Sequence, residues 1–371
     1  MGFAEIIGQD RALGGLRSAL RRGALHHAYL FAGPEGVGKG TTARILAQAA
    51  NCDGPRRSRA DGQPDEAAPE RVPGGVRGLH PPTFHDDDAC GECPPCRKIA
   101  RGVHPDVVSI AEERVMAKAG RWEPRGGRTP SKDIVVDQVR ELVDRSLSLR
   151  RFEGRRRFVI LDPADAMNPQ AQNALLKTLE EPPDDTTLVL VAAGADALLP
   201  TIRSRCLRVA FAPLPAALVE ERLRAAGRPA EEARLAAALS GGSLGRALAL
   251  DAEALKARRA AVEEAAALPP DDAGRWIAFA RERAADRDAA RETCELLLVW
   301  LRDVLARAAV GAGVPIALRD LEAATAAAAA QLAPAEALRR GECVKEALVA
   351  LRHNAAPALA LERMLIGWFH G

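Results

Sequence analysis

The sequence predicts an α/β domain with a parallel sheet built around a phosphate-binding loop, followed by a small helical domain and an all-α C-terminal region. Three observations lead there. The apolar run HAYLFAG enters GPEGVGKG at residues 33–40, and a helix-forming stretch follows; this is the strand, glycine-rich loop and helix of a phosphate-binding unit. The short apolar runs FVILD, TLVLVAAG and LRVAF then alternate with helical segments up to residue 212, the pattern of parallel strands covered on both faces. Beyond Pro213 and Pro215 no strand pattern recurs and Ala and Leu dominate, as in helices packed through small and aliphatic side chains.

Bulk properties narrow the functional classes. A chain of 371 residues with 47% hydrophobic content is expected to form two or three domains rather than one core. Its net charge of +2 sets up no global basic field, so any nucleic-acid contact must come from a local patch. The first residues lack the basic start and apolar centre of a signal peptide, and no apolar run reaches about 18 residues; a cytoplasmic protein without membrane partners is expected. In a reducing compartment, seven cysteines point to metal ligands or core positions before disulfides.

Taken in order, Leu13, Leu16 and Leu20 lie at helical spacing before the breaker Gly23, and a helix over 41–50 follows the loop. Residues 53–89 are rich in Pro, Gly, Arg and Asp without apolar periodicity, so a disordered insertion is expected, with a second flexible stretch at 119–132. Val135, Val136, Val139, Leu142, Val143 and Leu147 predict an amphipathic helix over 134–149. Asn168-Pro169 supplies an N-cap and first-turn proline for QAQNALLKTLEE, which Pro182-Pro183 stops. The expected domains are 1–212, which includes the cysteine module at 52–96, then a helical domain at 213–252 and a helical region at 253–371.

The loop is incomplete in an informative way. Gly33, Gly36 and Gly38 allow backbone N–H groups to wrap phosphates and Lys39 can reach the outer ones, but Gly40 stands where Ser or Thr would hold Mg²⁺. Thr41 comes one residue late, which turns its side chain about 100° away. Asp162 ends FVILD where a metal-binding carboxylate belongs, yet Pro163 follows in place of a general base. Asp165 is expected to point elsewhere. The tip of TLVLVAAG offers only Ala192-Ala193 where a polar residue would sense the outermost phosphate. Weak ATP or ADP binding is compatible with such a loop, because backbone donors at a helix N-terminus attract phosphate without metal.

Cys90, Cys93 and Cys96 lie in CGECPPC, and Cys52 follows the loop helix. Two CxxC steps sharing a cysteine bring three thiolates into one turn, and the fourth closes a tetrahedral, structural zinc site. Cys206, Cys294 and Cys343 read as core filler.

With GPEGVGKG, the four cysteines, NALLKTLEEPP and Ser204-Arg205-Cys206 in view, the chain resembles the clamp-loader subunits of bacterial DNA polymerase III, an AAA+ family. The lost hydrolytic positions and the lack of a long extension are similar to its delta-prime branch rather than to the hydrolysing gamma/tau branch. The resemblance implies a hetero-pentamer with gamma/tau and delta subunits that opens a sliding clamp and places it on primed DNA. It also implies that Arg205 acts as an arginine finger in a neighbour's ATP site. Arg246, in GSLGR, resembles a lid-domain arginine that approaches nucleotide, and 253–371 would be the oligomerising collar. An active gamma/tau-like ATPase, supported by Lys39, Asp162 and Thr41, stays open as an alternative. So does a zinc-dependent nucleic-acid-binding protein with a vestigial fold. Arg145, Arg150, Arg151, Arg155, Arg156 and Arg157 form a basic cluster that fits either solvated loop charge or phosphate contact.

Overall fold

A computed structural model describes residues 2–54, 88–141, 151–314, 316–353 and 355–370. The expected insertion falls mostly outside these residues, as do Arg145, Arg150 and the second half of the 134–149 helix, whose described turns begin at 136. The chain divides into two compact units, one up to Pro213 and one from Leu214.

The first unit is a parallel sheet of five strands in the order β2-β3-β4-β1-β5. β1 (Ala28–Ala32), β3 (Arg157–Leu161) and β4 (Thr186–Ala192) are buried along their whole length, which is why they read as unbroken apolar runs rather than alternating ones. β5 (Leu207–Ala210) closes one edge against β1. β2 (Val107–Ile110) forms the other edge against β3, and sequence reasoning missed it because four residues with a serine among them carry little pattern.

Side chains from the two faces make two apolar layers. Tyr29, Phe31, Phe158 and Ile160 pack under the helices Asp10–Arg21 and Lys39–Asn51. Leu30, Leu161, Leu188 and Leu190 pack under Pro169–Glu180 through Leu175 and Leu179. Fully burying each such side chain stabilises the fold by ~1.5–3 kcal/mol. Asn168 caps the last of these helices, accepting from the Ala171 N–H at 2.8 Å with Pro169 in the first turn, as its sequence predicts.

Two buried carboxylates organise loops that the sequence left open. Asp106, just before β2, accepts the N–H groups of Phe152, Glu153 and Gly154 at 2.9, 2.8 and 2.7 Å. Glu113, fully buried, takes both Nη atoms of Arg128 at 2.6 Å, the Trp122 indole at 3.1 Å and the Ser131 N–H at 2.7 Å. The stretch 119–132, expected to be flexible, is therefore tied at three points to one carboxylate, because a buried charge must be met by donors.

The second unit contains helices and no strand among the described residues. Ala216–Ala225, Ala230–Leu239 and Leu244–Ala249 come first, and longer helices follow, among them Arg287–Val310, Pro334–Arg352 and Pro357–His370. Trp300, Trp368, Phe279, Leu297 and Leu361 build its core, with Cys294 fully buried among them, as expected of a filler cysteine. Asp303 accepts from the N–H groups of Ala317 and Leu318, both at 2.8 Å, and closes the loop after the longest helix. Among the described residues no helix is long and apolar enough to cross a membrane.

Burial raises the Asp106 pKa, but the three N–H groups outweigh it and hold the carboxyl below its ordinary value. A depressed native pKa gives stability that is complete above the unfolded value of about 3.9 and is lost as pH falls through the native one. Asp106→Ala is expected to cost ~1–3 kcal/mol at pH 7 and to flatten the fall in stability below about pH 4. Urea unfolding at pH 7 and along an acid series measures both.

Candidate functional site

The phosphate loop leaves the C-terminal end of β1 and enters Lys39–Asn51, with Gly38 as N-cap at φ 101°, a left-handed conformation that glycine adopts without strain. A Cβ on Gly33 would run into the backbone carbonyl of Phe211, so glycine is required there by close approach. Gly36 lies at the exposed outer bend. The cradle is complete in backbone terms.

Its charged groups face inward. Lys39, 5% exposed, donates from Nζ to the carbonyls of Gly33 and Pro34, each at 2.6 Å. Burial pushes the Lys39 pKa down, while Asp162, Asp165 and Glu35 oppose that shift. Asp162 is exposed as a residue, but burial of its carboxyl in the loop, with Asp165 and Glu35 nearby, raises its pKa against the pull of Lys39 and Arg44. One Asp162 oxygen occupies the space that a Cβ on Gly40 would need. The carboxylate that would share a metal with a hydroxyl at this position lies directly against Gly40. Thr41, one residue on, is half-buried, and Thr42 bonds back to the Gly38 carbonyl at 2.8 Å.

Asp165 does not point away from the site. Its Oδ2 accepts from the Ala193 N–H at 3.0 Å at the tip of β4, and its buried Oδ1 has no hydrogen-bond partner among the described residues. The polar group at that tip comes from the neighbouring strand's loop, which the Ala192-Ala193 sequence could not reveal.

Arg205 lies at the other edge of the sheet. It precedes β5, whose Leu207 is in register with Tyr29 at the start of β1, so about four residues of strand, roughly 13 Å, separate its level from Gly33. Its Nη2 pairs with Glu180 at 2.8 Å and its Nη1 donates to the Thr201 carbonyl at 2.9 Å. A cavity of about 520 Å³ lies beside it, lined by His26, His27, Glu180, Ser204 and Cys206. Arg205 therefore faces away from its own phosphate loop.

The four predicted thiols converge, with their sulfurs all within 4.8 Å of one another. The Cys52 and Cys93 sulfurs are 3.9 Å apart, close to the ~3.8 Å edge of a tetrahedron with metal–sulfur bonds of ~2.3 Å. Cys52 caps the end of the loop helix and Cys93 starts the helix Pro94–Ala100. Backbone N–H groups of Gly54 and Cys90 reach the Cys52 sulfur at 3.4 Å, and that of Cys93 reaches Cys90 at 3.3 Å. A hydrogen bond from Cys96, with those N–H donors and against burial, pulls the Cys52 thiol down to about 4, whereas burial pushes the Cys93 thiol up and the bond to Cys52, with burial, pushes the Cys96 thiol up, so without a cation one thiolate is favoured among protonated neighbours. The donor set and spacing fit a four-coordinate thiophilic cation.

Other candidates are placed differently. Arg246, in the second unit, forms an ion pair with Glu295, and its N–H is capped by Ser243 at 3.1 Å. The described arginines of the basic cluster are committed to the protein. Arg151 pairs with Asp185 and Arg155 with Asp53, at 2.9 and 3.4 Å. Arg156 donates to Thr187 and to the carbonyl of Leu25, and Arg157 is buried. Sequence reasoning missed Glu180 as the partner of Arg205, since nothing along the chain pairs them.

Comparison with known proteins agrees with this geometry. The family model described as "DNA polymerase III, delta subunit" matches residues 8–68 and 81–215, more than half of the chain. A DNA polymerase III subunit delta' of Pseudomonas aeruginosa is 37% identical over 241 residues, covering 64% of this chain and 60% of that protein. The DNA polymerase III subunit tau of Escherichia coli is 31% identical over 206 residues, 56% of this chain and 25% of its own length. The matched stretch thus spans less than two thirds of these relatives. Among solved structures, a gamma subunit-related protein of Thermotoga maritima aligns over 96% of this chain and 98% of its own at 16% identity and a TM-score of 0.34. On the extent of the family match, the chain belongs to the DNA polymerase III delta subunit family.

Proposed function

We propose that this chain is a non-hydrolysing, delta-prime-like subunit of a bacterial DNA polymerase III clamp loader. In this reading it supplies Arg205 in trans to the ATP site of a neighbouring subunit. The observation that carries the reading is the opposition of Arg205 and the phosphate loop across one parallel sheet: an arginine that acts on nucleotide from there would act on one held by another molecule. Arginine fingers contribute about 10³ to 10⁵ in rate where they neutralise transition-state charge. The absence of a metal-binding hydroxyl at Gly40, against which the Asp162 carboxylate lies, supports the loss of intrinsic hydrolysis.

The remaining parts follow from the same reading. The partners are gamma/tau and delta subunits in a hetero-pentamer, together with the sliding clamp and primed DNA, in the cytoplasm. Residues 213–252 act as a helical lid, and 253–371 as a collar that joins subunits. Arg246 is the candidate lid contact to nucleotide, for which it must leave Glu295. Cys52, Cys90, Cys93 and Cys96 hold a structural zinc ion, which ties the end of the phosphate-loop helix to Pro94–Ala100. The competing reading, a gamma/tau-like motor using Lys39, Asp162 and Thr41, rests on the 31% identity to tau, which is below the 37% identity to delta'.

Hydrolysis separates the two. The isolated chain is expected to show no Mg²⁺-dependent ATP turnover above a Lys39→Ala control, and Arg205→Ala is expected to lower turnover by the complex reconstituted with its ATPase partners. Turnover by the isolated chain that vanishes with Lys39→Ala would establish the motor instead. Metal analysis of freshly purified, reduced protein is expected to find one zinc per chain, reduced to a small fraction in Cys93→Ser; a zinc-free parent protein contradicts the site. Gly40→Ser is expected to change stability in urea unfolding by less than ~1 kcal/mol, because the Asp162 carboxylate that it meets is the end of an exposed side chain that can turn aside, while Ser has the better helix propensity.

A further inference from the structure

We propose that Glu180 is the positioning residue for Arg205, and that it orients the guanidinium toward a phosphate group carried by another subunit. The inference rests on the reading of Arg205 as a finger. A guanidinium has five N–H donors in a fixed plane. Here Glu180 Oε1 holds Nη2 at 2.8 Å and the Thr201 carbonyl accepts from Nη1 at 2.9 Å. Nη1 also lies 3.5 Å from the Ser204 Oγ, so the guanidinium is held from two sides, by the Glu180 carboxylate at Nη2 and by Thr201 and Ser204 at Nη1.

Both anchors sit next to buried residues. Leu179, beside Glu180, is 2% exposed, and Ile202, between Thr201 and Arg205, is fully buried in the same apolar layer. The cavity next to the pair gives access from outside, and Glu180 is the one carboxylate in its lining.

Local stability does not account for a glutamate at this point. Glu180 is the last residue of its helix, where the partial negative charge of the helix end disfavours a carboxylate. The side chains of Arg205 and Glu180 are 35% and 51% exposed, so their ion pair adds little to folding. What the pair does provide is orientation. A long arginine side chain loses much rotamer freedom when it is fixed, and fixing it before the phosphate arrives removes that cost from the catalytic step.

The test uses the full chain reconstituted with its ATP-hydrolysing partner subunits, with ATP as substrate and steady-state kcat and KM as readouts. Glu180→Ala is expected to lower kcat by about three- to tenfold with KM within about twofold of the parent, since orientation matters most in the transition state. Glu180→Gln keeps the acceptor oxygen and is expected to retain roughly half or more of the parental kcat. In the Arg205→Ala background, Glu180→Ala is expected to add no further loss, because its effect passes through Arg205. A parental or higher kcat for Glu180→Ala, while Arg205→Ala still lowers it, overturns the positioning role and leaves the finger intact. An additive loss in the double variant, or no recovery with Glu180→Gln, also overturns it. A parental kcat for Arg205→Ala removes the finger, and this role with it.

Discussion

Parallel strands all begin on one edge of a sheet and end on the other, and this directional constraint governs the first unit. β1 delivers the phosphate loop at the C-terminal edge, while β5, in register beside it, receives the chain from Arg205 at the N-terminal edge. No side-chain rotamer brings those two points together, because the strand length between them exceeds the reach of an arginine. Any chemistry that uses both must involve two molecules. The buried, β-branched and aromatic strands that hold the sheet together therefore also hold the phosphate loop and Arg205 apart.

Within the loop, charges that a nucleotide and its metal would otherwise engage are matched to each other. Lys39 bonds to the loop's own carbonyls, Asp162 lies over Gly40, and Asp165 caps the tip of β4. Each contact is modest, but together they leave a phosphate cradle whose cation faces inward. The helix that starts there ends at the cysteine cluster. Asn51 exchanges hydrogen bonds with the backbone of Arg156, both at 3.0 Å, and the next residue is Cys52. One helix thus links the loop, the start of β3 and the cysteine cluster, so a metal bound at the cluster would steady the loop from its far end.

Much of the first unit was legible because its signals are local. The run of apolar residues in β1, the glycines after it, and the Asn168-Pro169 cap all act within a few residues of themselves. β2 escaped notice because its identity depends on pairing with Phe158–Leu161 rather than on its own short composition. The 119–132 stretch looked flexible for a similar reason: Gly and Arg predominate there, and the Glu113 carboxylate that orders it lies earlier in the chain. The basic cluster before β3 read as one patch, yet its described members turn to separate partners that only the folded chain brings near.

The sequence by itself determined the α/β class, the loop with its missing hydroxyl, the four thiols and the arginine of the Ser-Arg-Cys triplet, since each is written in residue type and short spacing. The tertiary structure alone decided that Asp162 lies against Gly40, that Asp165 serves the β4 tip, and that Glu180 grips Arg205. These contacts join residues remote in the chain, and burial and packing of the sheet, rather than any local propensity, bring them within bonding distance.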